Sequence, residues 1–502
     1  IPKYGYGWLA LAGLWHLHCL YGTICQYSLA LVLMGAQVNI DVMTKGYKVK
    51  TYFKTVTLLK LICLFVITTC TSVAASDTSN QQKYPNQYQS WQATSEQVER
   101  EDMLANYPAS IILWAGSSYA KEYHSPRGHH FAVADVTHTL RTGTPPKAGE
   151  NGLSASCWTC KTPDAPRLIE QLGFEGYSAK NFTDLGKEIQ SVVYCSDCHE
   201  SGTHKLALPR PHAQDAMAKI HLPFDKQDIN MQGAQVCGQC HVTYYFRPEK
   251  SNVVNIPWIF GNTADDIEKY YDTRRFFEWI HPLSKTPILK ARHPEFEHWS
   301  RSKHAEVGVT CITCHMPTQQ DAKGVEFTSH KVDKALPHFD SSCSGCHSSK
   351  TKIETKLAAN KLTIETKARE VEALLVKAHY EAKAAWDAGA KWDNMNEPIM
   401  AIRHSQWRWD FAMSSHGLYA HNPQEGKQLL DKAIEQANEA RHLLAGILKQ
   451  LNVTQVSYPD ISTKEKAHQA IGLVETDLIK EKQKFIENDV KKHWQPVSQY
   501  GY

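Results

Sequence analysis

The chain carries 502 residues, 42% of them hydrophobic and 21% charged. That is enough apolar material for a large core, which excludes wholesale disorder and fibrous architectures. Its 55 Lys and Arg against 52 Asp and Glu leave a formal charge of +3, too little for the basic field of a nucleic-acid partner.

The first 42 residues carry no charge between Lys3 and Asp41. They read as upstream sequence joined to a start at Met43, with a membrane-spanning helix as the other reading. Residues 43–75 have the build of a secretory signal peptide. Lys45, Lys48, Lys50 and Lys54 precede an apolar run over 61–69, and Ser72-Val73-Ala74-Ala75-Ser76 offers a small-residue cleavage point after Ala75. Cys19, Cys25, Cys63 and Cys70 all precede that point, so the mature chain is expected to contain no disulfides.

Residues 76–350 are rich in loops and hold the other ten cysteines as five pairs, each with two residues between its members. They read Cys157-Trp-Thr-Cys160-Lys161, Cys195-Ser-Asp-Cys198-His199, Cys237-Gly-Gln-Cys240-His241, Cys311-Ile-Thr-Cys314-His315 and Cys343-Ser-Gly-Cys346-His347. Histidine fills about 5% of positions, so its occurrence directly after four of five pairs has odds near ~3 × 10⁻⁵. Zinc needs no adjacent His, and five pairs would leave one over. A disulfide scaffold belongs to short chains without a core. Covalent c-type haem accounts for both features: two thiols take the two vinyl groups, and the adjacent His reaches the iron. The expected cofactor is five haem c groups, and export to the periplasm suits their attachment.

Lys161 stands where the other four motifs carry His. Either that site has degenerated, or an amine ligates its iron. The second reading requires a deprotonated lysine, which metal binding and burial together can supply. Five haems have ten axial positions, and the motifs fill five with Lys161, His199, His241, His315 and His347. A haem that only passes electrons is closed by a second protein ligand, whereas one that does chemistry keeps a face open.

Beyond residue 350 the composition turns to Ala, Glu, Lys and Leu. Residues 352–391 place Val371, Leu374, Leu375 and Ala378 at helical spacing. Further helices are expected near 399–415, 424–451 and 463–492, separated by a break at Asn396-Glu-Pro398 and a turn at Asn422-Pro423. The expected fold is mainly α, with a loop-rich haem region over 76–350, long helices over 351–502 and few short strands.

One Cys-x-x-Cys-Lys followed by four Cys-x-x-Cys-His resembles the pentahaem, ammonia-forming cytochrome c nitrite reductases. The likeness runs from about Tyr84 to Trp494. It includes Ile-Leu-Trp-Ala-Gly (112–116), Pro-Arg-Gly-His (126–129), Leu-Arg-Thr-Gly (140–143), Val-Cys-Gly-Gln-Cys-His-Val (236–242), Leu-Ser-Lys-Thr-Pro (283–287), Arg-His-Ser-Gln-Trp-Arg-Trp-Asp (403–410) and Asp-Ile-Ser-Thr-Lys-Glu-Lys-Ala (460–467). The resemblance implies four bis-His haems, with His330, His129, His421 and His304 as distal ligands of the second to fifth. His130 and His298 are the neighbours with which these could be confused. It leaves the Lys161 haem open for nitrite, faced by Arg141 as anion partner, His293 as proton donor and Tyr244 as supporting hydroxyl. The implied reaction takes nitrite, six electrons and eight protons to ammonium and two waters. A homodimer built on the long helices and a redox-partner cytochrome, either membrane quinol-oxidising or soluble multihaem, are implied with it. The competing readings are a multihaem electron carrier without a substrate of its own and a reductase of hydroxylamine or sulfite.

The chain departs from that family at one place. Most members carry Glu before the active-site tyrosine and Gln before the catalytic histidine, and both help to bind calcium. Here the positions hold Thr243 and Arg292. Losing a carboxylate and gaining a cation is expected to abolish the calcium site, with the Arg292 guanidinium lying where the ion would be.

Overall fold

The computed structural model describes residues 80–146 and 152–494. The segments read as upstream sequence and export signal, with their four cysteines, lie outside the described residues. The described chain is mainly helical, and its strands form three short antiparallel pairs. These are β1 (Tyr245–Arg247) with β2 (Val253–Asn255), β3 (Trp279–Ile280) with β4 (Pro287–Ile288), and β5 (Thr318–Gln320) with β6 (Glu326–Thr328). No described helix is long and apolar enough to cross a membrane.

Three long helices form the scaffold: α1 (Lys350–Asp387), α2 (Trp392–Met413) and α3 (Pro423–Gln450). Ser349 caps α1 by accepting from the Lys352 N–H, and Asn422 caps α3 by accepting from Glu425. On α1 the buried residues Ile364, Ala368, Val371, Leu375, Ala378, Ala382 and Ala385 alternate spacings of four and three. On α3 Gly426, Leu430, Ala433, Ala437, Ala440, Leu444 and Ile447 do the same. That is the period of a coiled-coil seam, and the many Ala and Gly let the backbones approach closely. The two helices run parallel. Lys367 pairs with Asp431, and further along both helices Glu381 pairs with Arg441 at 2.7 Å. Helix α2 returns between them, with Trp409 donating to Glu372 and His379 bonding Gln406.

Two boundaries differ from the sequence expectation. Helix α2 runs straight through Pro398. Proline costs the helix one carbonyl partner there, but Gly389 at φ +92° and the extended Lys391 already make the turn. The stretch expected as one helix over 463–492 is interrupted after Ala470, and Gly472 at φ +71° redirects the chain before the helix Glu475–Phe485 begins.

Helix α2 is also the spine on which the loop-rich region is mounted. Gln406 donates to the Leu113 carbonyl at 2.6 Å, and Arg403 donates to the carbonyls of Pro287 and Phe276. Asp410 accepts from both the Lys290 ammonium and the Ala291 N–H. These bonds fix residues 287–292 and therefore the histidine that follows them.

Candidate haem cavity and active site

All ten motif cysteines, the four motif histidines and Lys161 line one cavity of about 2860 Å³. An ordinary small-molecule pocket holds up to about 1,000 Å³, so this space suits several large groups. None of the ten thiols is joined in a disulfide. Each motif is a single turn that turns its last residue toward its own cysteines. The N–H groups of His199, His241 and His347 donate to the carbonyls of Cys195, Cys237 and Cys343 at 2.9–3.0 Å, and Cys311–His315 is a short helix. The Lys161 motif closes more tightly, with its N–H bonded to Trp158 one residue nearer. The motifs also abut one another: the Cys160 thiol lies 3.9 Å from the carbonyl of Gln239 in the third motif.

Every motif histidine faces a second histidine ring. The centroid separations are 6.2 Å for His199 and His330, 6.5 Å for His241 and His129, 6.4 Å for His315 and His421, and 6.2 Å for His347 and His304. A metal–imidazole bond is about 2.0–2.1 Å and the ring centre lies roughly 1.1 Å further on, so two imidazoles across one metal have centres roughly 6.2–6.4 Å apart. The observed spacings match that requirement. In three of these rings Nδ1 is held by a backbone carbonyl: His199 by His204 at 2.9 Å, His315 by Asp333 at 2.7 Å and His330 by Thr328 at 2.9 Å. This leaves Nε2 for a metal and fixes the ring plane. The residues therefore fit bis-His haem. His298, the neighbour that could be confused with a ligand, has both ring nitrogens engaged, by Glu425 at 3.1 Å and the Phe411 carbonyl at 3.2 Å. His130 packs edge-on against Phe131.

Lys161 shares the cavity with Arg141, Tyr244 and His293. The Arg141 guanidinium lies over the rings of Tyr119 and Tyr123, at 5.2 and 5.6 Å from their centroids. Burial, then the charges of Lys161, His241, His416 and Arg141, hold His293 well below the usual histidine range. Burial pushes the Tyr244 phenol well up, opposed by the Arg292 cation. The Arg141 cation beside a neutral imidazole in one space favours a small anion.

Arg292 is buried behind this group. Its Nη1 donates to the Tyr244 carbonyl at 2.7 Å, to the Lys290 carbonyl at 3.3 Å and to Glu278 at 2.5 Å, while Nη2 donates to the second Glu278 oxygen at 2.6 Å. The neighbouring Thr243 N–H donates to Glu297 at 2.9 Å. Reading the sequence alone did not single out Glu278, Tyr119, Tyr123 or the Lys290–Asp410 pair. Their partners are distant in the chain, and only the Leu-Ser-Lys-Thr-Pro and Trp-Arg-Trp-Asp stretches signalled the neighbourhood.

A fold of five Cys-x-x-Cys turns lining one cavity and mounted on long helices defines a multihaem c-type cytochrome. The cytochrome c552 family pattern matches residues 77–499, and the chain belongs to that family. Its structure is similar to that of the catalytic subunit of cytochrome c nitrite reductase from Desulfovibrio desulfuricans, a protein with two calcium sites. The TM-score is 0.69 at 22% identity over 80% of this chain and 89% of that one. The outer cell wall cytochrome OcwA matches loosely, with a TM-score of 0.34 at 18% identity over 66% of this chain and 50% of that one.

Proposed function

We propose that this protein is an ammonia-forming nitrite reductase with five covalently bound haems, four closed by histidine pairs and one held by Lys161. The observation that carries the reading is the asymmetry of the cavity. Four motif histidines each face a second histidine, while Lys161 and Arg141 both lie close enough for their charges to act on His293, and Tyr244 lines the same cavity. The haem, when bound, supplies the electrons and the point at which nitrite nitrogen attaches. The pairs His199/His330, His241/His129, His315/His421 and His347/His304 would hold the other four haems.

The chain's own part is binding, protonation and exclusion of water. Arg141 draws in the anion and orients an oxygen, and its permanent charge makes this insensitive to pH. His293, neutral between turnovers, takes up a proton as negative charge arrives at the site and hands it to the departing oxygen. Tyr244 presents a hydroxyl that stays protonated throughout, because burial resists its ionisation.

Arg292 takes the place of the calcium ion found in most relatives. Its fork binds the two backbone carbonyls of Tyr244 and Lys290 that flank the active site, and Glu278 balances its charge. Calcium needs six to eight oxygens, and here a cation already engages four of those nearby. The protein works in the periplasm as a homodimer and receives electrons from a partner cytochrome.

The test is turnover of the haem-loaded protein with reduced viologen. Ammonium should equal the nitrite consumed, and His293→Ala should lower the rate about 100-fold or more. Lys161→His should also slow turnover. Nitrite left unreduced by the loaded wild type contradicts the proposal.

A further inference from the structure

The Arg141 side chain is presented by the short turn Leu140–Thr142, and its local bonds are joined by others that come from far along the chain. Lys482, on the helix Glu475–Phe485, is buried and directs its ammonium at the back of the turn. It donates to the Thr137 carbonyl at 3.0 Å, to Thr142 Oγ1 at 3.1 Å and to the Gly143 carbonyl. Thr142 spends its own hydrogen on the carbonyls of Val136 and Thr139, so it serves Lys482 as an acceptor. From the other side Glu122 accepts the Leu140 N–H, and Glu122 is anchored in turn by Arg100 at 3.2 Å and by His124. The Lys482 amine therefore grips the carbonyl end of the turn and a carboxylate its N–H end, with Arg141 between them.

Within its own segment the turn is closed by the Thr142 N–H to Thr139 at 3.2 Å and the Gly143 N–H to Leu140 at 3.1 Å. The Arg141 N–H reaches Thr139 Oγ1 only at 3.4 Å, and Gly143 follows at φ +69° with open space where a side chain would lie. Removing the Lys482 donor leaves buried carbonyls unpaired. An anion-binding group misplaced by about 1 Å can lose up to about 100-fold in efficiency.

We propose that Lys482, opposed by Glu122, is a positioning residue that sets Arg141 for nitrite, so that the C-terminal helix tunes affinity for the anion. This rests on Arg141 being the anion partner. The experiment uses the haem-loaded enzyme with Lys482→Met and, in parallel, Arg141→Gln, each assayed with nitrite and with the uncharged substrate hydroxylamine. For Lys482→Met the nitrite KM should rise about tenfold with kcat kept within about twofold, and the hydroxylamine KM should stay within about twofold. If that variant does not fold, Lys482→Gln, which keeps an N–H donor, should show a smaller rise of the same sign. A nitrite KM unmoved by Lys482→Met while Arg141→Gln raises it overturns the positioning role alone. Equal losses with both substrates also overturn it, because they mark a general structural defect. If Arg141→Gln leaves the nitrite KM unchanged, the anion-partner reading falls and the inference falls with it.

Discussion

The guanidinium of Arg292 and the carboxylate of Glu278 meet in a two-point pair, Nη1 to Oε1 at 2.5 Å and Nη2 to Oε2 at 2.6 Å, inside a wall of the active site. The same guanidinium holds the backbone of Tyr244 from behind. One side chain thus ties the segment 278–292 to the tyrosine that lines the cavity.

Removing Glu278 strands that cation. A buried pair broken on one side costs about 3 kcal/mol or more, so Glu278→Ala should lower the thermal midpoint of the loaded protein by several degrees, read by calorimetry. Because the cation is a side chain, dialysis against a calcium chelator should leave both midpoint and turnover unchanged. A fall in turnover that added calcium restores would contradict the replacement of the ion by Arg292.

Gly417 is required by a close approach. A Cβ there would lie 2.5 Å from Cε1 and 2.8 Å from Nδ1 of the His421 ring, and His421 faces His315 across the cavity. Gly417→Ala should push the ring off its axis and convert one low-spin haem signal to high spin, measured by electron paramagnetic resonance. An unchanged spectrum would show that His421 is not a ligand.

Burial, opposed by the Trp409 bond, pushes the Glu372 carboxyl up to about 7 from an ordinary 4.5. Between these values the folded chain keeps a proton that the unfolded chain has lost, so this group favours unfolding as pH rises through the window. Glu372→Gln keeps the acceptor for Trp409 and removes the ionisation. Relative to wild type it should gain roughly 1–3 kcal/mol on moving from pH 5 to pH 8, by denaturant titration. A stability difference independent of pH would contradict this.

The haem motifs were legible in the sequence because covalent attachment demands cysteines at fixed spacing, and the period of α1 was legible because one face of it is buried. The partners of His129, His304, His330 and His421 came from resemblance, since a distal ligand carries no local signature. Pro398 was misread as a break. The residues that decide the turn there are Gly389 and Lys391, and proline near a helix start loses only one bond. Glu278 and Lys482 were invisible for a different reason: each acts through backbone groups of a segment that only the fold brings near. Local pattern reveals chemistry that is bonded locally, and the supports of Arg141 and Tyr244 are not.

The most direct test of the central claim is the spin state of the oxidised, haem-loaded protein before and after nitrite is added. One iron of five should be high-spin and should alone respond to nitrite, while four stay low-spin and silent. Five low-spin irons, none of them altered by nitrite, would contradict the account.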